Sequence, residues 1–199
     1  MRAQDIMSTP VVTVGPEAPA KQAAALLSAH GFTALPVVDE DDRLIGIVTE
    51  ADLIADRVPP DIRFRAADTT ARRGGETVAD VMTSPCTGMA PGTDVALLAR
   101  TLLEDRIRVM PIVEGSRVIG VVTRGDIVRT FARQDSEIAA EVRRHLAIYG
   151  GPDRWKVEVH DGKVRIVDAF DDETDRHVAT LLAEAVPGVV SAQVSTVVS

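Results

Sequence analysis

Apolar positions along this chain fall into runs of two kinds, and their alternation predicts the elements. Ala and Leu at helical spacing mark a helix over 18–29 and another over 93–104. Val- and Ile-rich runs between turn residues mark strands over 11–14, 35–38 and 44–48. The last two flank an acidic turn, Asp39-Glu40-Asp41-Asp42. A second helix is expected after Thr49, and its counterpart after Thr123. Beyond residue 134 the order changes. A helix opening at Asp135-Ser136-Glu137 carries Ile138, Val142, Leu146 and Tyr149 on one face. An alternating strand over 155–160, the turn Asp161-Gly162 and a return strand over 163–167 predict a hairpin. An amphipathic helix over 173–186 ends at Pro187-Gly188, and a last strand is expected over 189–198.

The first two thirds repeat. Asp5-Ile6-Met7-Ser8-Thr9-Pro10 returns as Asp80-Val81-Met82-Thr83-Ser84-Pro85. Ala34-Leu35-Pro36-Val37-Val38 returns at the same offset as Val109-Met110-Pro111-Ile112-Val113. Arg43-Leu44-Ile45-Gly46-Ile47-Val48-Thr49 returns as Arg117-Val118-Ile119-Gly120-Val121-Val122-Thr123, one residue closer. A deletion in a turn with both flanks in register is the mark of a duplicated unit. One unit is too small to cover its own sheet, whereas two can share a core. The expected fold is α/β (α+β): two β-α-β-β-α motifs, 1–56 and 77–133, packed as one pseudo-symmetric module, plus a small α-β-β-α-β domain over 135–199. Residues 57–76, with Pro59-Pro60, Gly74-Gly75 and Arg57, Arg63, Arg65, Arg72 and Arg73, read as a linker.

Thr49-Glu50-Ala51-Asp52 and Thr123-Arg124-Gly125-Asp126 sit where a strand becomes a helix. Each reads as a capping box, with Thr at the N-cap and an acid three residues on. The same geometry suits a nucleotide. Free N–H groups and the dipole favour a phosphate, and a carboxylate one turn in can accept from ribose hydroxyls.

The segments GFTALPVVDEDDRLIGIVTEADL and RIRVMPIVEGSRVIGVVTRGDIV make residues 3–133 resemble the tandem CBS family. The resemblance implies a cleft on each side of the motif pair, with base contacts from one motif and ribose and phosphate contacts from the other. For the first cleft it implies Met7, Val12, Phe32 and Thr33 around the base, with Arg108, Val121, Thr123 and Asp126 at the other end. For the second it implies Met82, Thr87, Ile107 and Arg108, with Thr33, Ile47, Thr49 and Asp52 opposite. The first cleft alone has a guanidinium on its phosphate side, which makes it the tighter one. Gly88-Met89 in place of Thr13-Val14 departs from the usual first strand and weakens base recognition in the second. The implied ligand is AMP, ADP or ATP, with S-adenosylmethionine and NAD as further adenosine compounds, and no cofactor is required.

The C-terminal third, with HDGKVRIVDAF and AVPGVVSAQV, resembles the BON domain. Asp168 stands where members of that family commonly have glycine. BON domains are often associated with phospholipid, but this region is acidic, and a membrane partner is not expected.

Charge and composition narrow the classes further. The formal net charge of −8 gives the chain no overall reason to bind nucleic acid or anionic lipid. A single cysteine, Cys86, excludes a disulfide framework within one chain and reads as core. His30, His145, His160 and His177 show no metal-ligand spacing, and no nucleophile–base–acid set or Gly-rich phosphate loop stands out. With no signal-like N-terminus and no long apolar run, the expectation is a cytoplasmic, non-enzymatic sensor that signals to the BON domain or to an unidentified protein partner. A homodimer is expected through apolar helix faces at Ala23, Ala24, Leu27, Leu98 and Leu102. The other readings are an adaptor with empty clefts and an envelope-associated stress protein acting through BON.

Overall fold

The computed structural model describes residues 1–55, 75–170 and 172–196. Most of the expected linker, with its five arginines, lies outside the described residues. In the first repeat, helix α1 (Ala20–His30) leads to strands β1 (Ala34–Val38) and β2 (Leu44–Thr49) and helix α2 (Glu50–Ile54). In the second, α3 (Val78–Val81) and α4 (Val95–Glu104) precede β3 (Val109–Glu114), β4 (Arg117–Thr123) and α5 (Arg124–Phe131). Gly31, at φ 66°, ends α1 in the left-handed conformation that costs glycine least. Asp94 caps α4 by accepting from the Ala96 N–H at 2.7 Å.

The expected first strand of each motif is not formed as a strand. Val14 alone bridges Val37, and Met89 alone bridges Ile112, both in parallel. The reason lies in the prolines. The Val14 N–H donates to the Pro36 carbonyl at 3.1 Å and the Met89 N–H to the Pro111 carbonyl at 2.9 Å. Pro36 and Pro111 turn the same edge to these segments but have no N–H to give in return, so the ladder stops after one residue. Met89 and Val14 therefore make the same single bridge, but Gly88 sits close against Val113, where an added Cβ would lie 2.9 Å from Val113 Cγ1.

The leading segments of the repeats change places. Ser8 of the first repeat exchanges backbone hydrogen bonds with Val121 of the second, at 2.9 and 3.3 Å. Thr83 of the second does the same with Ile47 of the first, at 3.0 and 2.9 Å. The cores follow the exchange. Val78 is fully buried among Leu27, Leu35, Val37 and Val48, while Ala3 is fully buried among Leu98, Leu102, Met110 and Val122. Arg43 bridges Arg117 where the two β-hairpins meet, close to the pseudo-two-fold axis.

Ala23, Leu27, Leu98 and Leu102, expected on a free face, are buried within the chain; Ala24 is exposed. The helix faces that remain open carry Leu97 and Leu103 of α4, Val128 and Phe131 of α5, and Ile54 of α2. The period of α1 and α4 was legible, but the side that the exchanged segments cover was not.

The C-terminal unit follows as α6 (Asp135–Gly150), β5 (Trp155–His160), β6 (Lys163–Asp168), α7 (Glu173–Glu184) and β7 (Ser191–Thr196). Its sheet runs β5-β6-β7, antiparallel then parallel. Ile138, Val142, Leu146, Trp155, Val157 and Ile166 fill its core. Asp161 and Gly162, at φ 49° and 71°, make the hairpin turn, and both N–H groups donate to Asp135. Asp168 is fully buried and takes two bonds from Arg154, at 2.7 and 2.8 Å. These bonds hold its carboxyl below the usual carboxylate range.

The crossing of the exchanged segments requires close approach. A Cβ at Gly46 would lie 2.7 Å from Met82 Sδ and 3.0 Å from the Thr83 carbonyl. Gly46→Ala is expected to destabilise the fold by about 1–3 kcal/mol. Gly92→Ala, with nothing within 4 Å of the added methyl, serves as the control. Urea denaturation of the two variants checks this.

Candidate functional site

The exchange leaves a cleft of about 680 Å³ between the two motifs, within the range of small-molecule sites. One wall comes from the first repeat: Ser8, Pro10, Val11 and Val12 of the leading segment, then the 30–36 stretch at the end of α1 and the start of β1. The other comes from the second repeat: Arg108, Val109, Val121, and the start of α5 with Thr123, Arg124, Gly125, Asp126 and Arg129.

At the start of α5 the capping box is complete. Asp126 Oδ2 accepts from the Thr123 N–H at 2.8 Å and from Thr123 Oγ1 at 2.7 Å. The Asp126 N–H donates back to Thr123 Oγ1 at 3.2 Å. The second oxygen, Oδ1, faces the cleft side and accepts from Ser8 Oγ at 3.1 Å and Arg129 Nη1 at 3.0 Å. Ser8 reaches it only because its segment crosses to the other repeat. Asp126 is thus a buried carboxylate with every bond charge-assisted or aimed by backbone.

The opposite wall carries an aromatic pair. The rings of His30 and Phe32 stack at 4.9 Å between centroids and 10° between planes. Both side chains are exposed to the cleft mouth, and such a face suits a flat heterocycle. Arg108 lines the cleft and also reaches across to Glu50, with Nη1 3.5 Å from Oε2.

Of the residues expected at the first cleft, Val12, Phe32, Thr33, Arg108, Val121, Thr123 and Asp126 all line it. Met7 does not. It packs into the second repeat's core beneath Gly120, whose added Cβ would lie 2.7 Å from Met7 Sδ. Ser8, His30, Arg124 and Arg129 line the cleft and were not expected. A signal for Ser8 was present, since it lies next to Met7 in the repeated hexapeptide. None existed for Arg129, whose counterpart in the first repeat is Ala55.

The residues expected at the second cleft hold the mirrored positions. Asp52 Oδ2 accepts from the Thr49 N–H at 2.8 Å and from Thr49 Oγ1 at 2.7 Å. Ile47 pairs with the Thr83 segment, and Met82 packs under Gly46 against the first repeat's core. Ile107 is half-buried against the second core, and Thr87 is exposed. The Glu50 N–H donates to the Thr33 carbonyl at 3.1 Å.

Residues 3–57 and 78–133 each match the CBS domain family. The CBS domain-containing protein CBSX1 of Arabidopsis thaliana chloroplasts is 31% identical over 134 residues. The match covers 58% of this chain, and the chain spans 57% of that relative's length. Among solved structures, CBSX2 of Arabidopsis thaliana in complex with AMP is similar at a TM-score of 0.54 and 29% identity, covering 64% of this chain and 94% of that one. The CBS domain pair of MJ0100 with 5′-methylthioadenosine and S-adenosyl-L-methionine is similar at 0.54 and 28%, covering 66% and 96%.

Both Thr residues act as helix caps whatever else they do. Thr123→Ala and Thr49→Ala are each expected to cost about 0.5–2 kcal/mol of stability in the unliganded protein. Thermal unfolding of the two variants measures the effect.

Proposed function

This chain belongs to the CBS domain family over residues 3–57 and 78–133, and on that premise we propose that it is a regulatory protein, not an enzyme, that binds an adenine nucleotide in the cleft between its repeats. The observation that carries the reading is the pairing, across one cleft, of the Thr123–Asp126 helix start with the Phe32 side of the first repeat. A flat base would lie against Phe32 and Val12, with Thr33 at its edge. The ribose hydroxyls would donate to Asp126 Oδ1, and the first phosphate would meet Thr123, the N–H groups of α5 and Arg108. Similar proteins with AMP or with S-adenosyl-L-methionine and 5′-methylthioadenosine bound support an adenosine ligand.

In this reading the C-terminal α-β-β-α-β unit is a BON domain that receives the signal. The joint supports it. Arg133, just beyond α5, donates to the Pro187 carbonyl and to Glu141 Oε2, both at 2.6 Å. The helix that would bind the nucleotide at one end therefore reaches the C-terminal unit at the other.

A homodimer is part of the same proposal. Leu97 and Leu103 of α4 and Val128 and Phe131 of α5 stay exposed on neighbouring helices, and a self-complementary contact would cover them. Light scattering is expected to read a dimer at micromolar concentration and Phe131→Glu to shift it to monomer.

The nucleotide reading is tested by calorimetry with AMP, ADP and ATP. The tighter binding is expected to be lost in Asp126→Ala and kept in Asp52→Ala. Loss with Asp52→Ala alone would invert the assignment. If no nucleotide binds the unaltered protein, the Thr-x-x-Asp pairs are helix caps only.

A further inference from the structure

We propose that the cleft at Asp126 selects a nucleoside polyphosphate over the monophosphate, and that Arg129 makes the distinction. The inference rests on the nucleotide reading above and concerns how many phosphates that site takes. The charge on the cleft wall is the first observation. Although the chain carries a net −8, three guanidinium groups, of Arg108, Arg124 and Arg129, line this cleft against the one carboxylate of Asp126. At the repeat-equivalent positions stand Thr33, Glu50 and Ala55. Arg124 and Arg129 therefore have no cationic counterpart at the start of α2, where Glu50 instead pairs with Arg108.

A monophosphate carries about two negative charges. The start of α5 and Arg108 suffice for it, which leaves Arg124 and Arg129 with no phosphate to contact. Arg124 is partly committed, since its Nη2 donates to the Leu102 carbonyl at 2.6 Å. Arg129 is the movable one. Its side chain is 75% exposed, while the Asp126 carboxylate it touches is 3% exposed.

The exchange of partners follows from the geometry. Oδ2 of Asp126 stays occupied by the Thr123 cap, so the helix start is undisturbed. Oδ1 is held by Ser8 and Arg129. Ribose hydroxyls donating to Oδ1 would take over the role of the Arg129 hydrogen bond. The guanidinium then swings to an outer phosphate, where a bidentate, charge-assisted contact is stronger than the exposed ion pair it leaves. A cationic sulfonium ligand would meet the same wall with the wrong sign.

The experiment is calorimetry on the full chain with adenosine, AMP, ADP, ATP and S-adenosylmethionine. ATP or ADP is expected to bind at least about tenfold more tightly than AMP, as one added charge-assisted contact implies. S-adenosylmethionine is expected to bind more weakly than AMP. Arg129→Gln is expected to collapse the ATP-to-AMP ratio to within about threefold, and Arg129→Lys to restore part of it. Its exposure keeps the fold out of the result. Equal binding of AMP and ATP to the unaltered protein overturns the inference and leaves the nucleotide reading standing. A ratio unchanged in Arg129→Gln removes Arg129 from the role. Failure of every adenosine compound to bind overturns both.

Discussion

The reciprocal exchange of the leading segments is the constraint on which the module depends. Neither repeat completes its own core: Ala3 closes the second and Val78 closes the first. The two cannot part without uncovering both, so a duplicated unit behaves as one body. The exchange also makes the cleft. It carries Ser8 over to the second repeat, within reach of Asp126 and Val121. A site built this way is shared by construction, with one wall from each motif. Whatever fills it touches both, and a ligand stabilises the pairing as well as the individual walls.

Asp126 shows how a structural device and a binding device can occupy the same four residues. One oxygen is spent on the cap and fixes the helix start, while the other is turned to the cleft and held by two side chains that can be replaced. Asp52 has the same cap in the first repeat but has Ala55 at the position equivalent to Arg129. The cap is shared between the repeats, whereas the cation that pairs with Asp126 in the last turn of α5 is not.

The periodic features were legible from residues alone. Both hairpins, both capped helices and the described parts of the C-terminal elements sit within two residues of where hydrophobic spacing put them. What could not be read was anything set by the exchange. The 11–14 strand looked sound by composition, yet Pro36 denies it a donor, which shows only once the pairing edge is known. The family resemblance put Met7 at the base, but the crossing turns it under Gly120. The apolar faces of α1 and α4 had the right period, and it took the other repeat's segment to decide that Leu27 and Leu102 lie inside. The His30–Phe32 stack pairs residues two apart around Gly31, a contact that depends on that glycine's left-handed turn and not on helical period.

The end of α5 away from the cleft is the joint to the C-terminal unit. The helix is eight residues, about 12 Å long, and too short to bend much between its two ends. Its first turn holds Thr123 and Asp126, and its last holds Thr130, whose carbonyl lies 2.9 Å from where a Cβ on Gly188 would stand. Gly188 has φ 96°, so neither a side chain nor a different backbone is admitted there. The C-terminal unit is thereby fitted against the end of α5 by close backbone approach, with Arg133 bonded twice to that unit, at the Pro187 carbonyl and at Glu141. Ile138, in the first turn of α6, closes on Gly188 from the other side, its Cδ1 lying 2.8 Å from where that Cβ would stand.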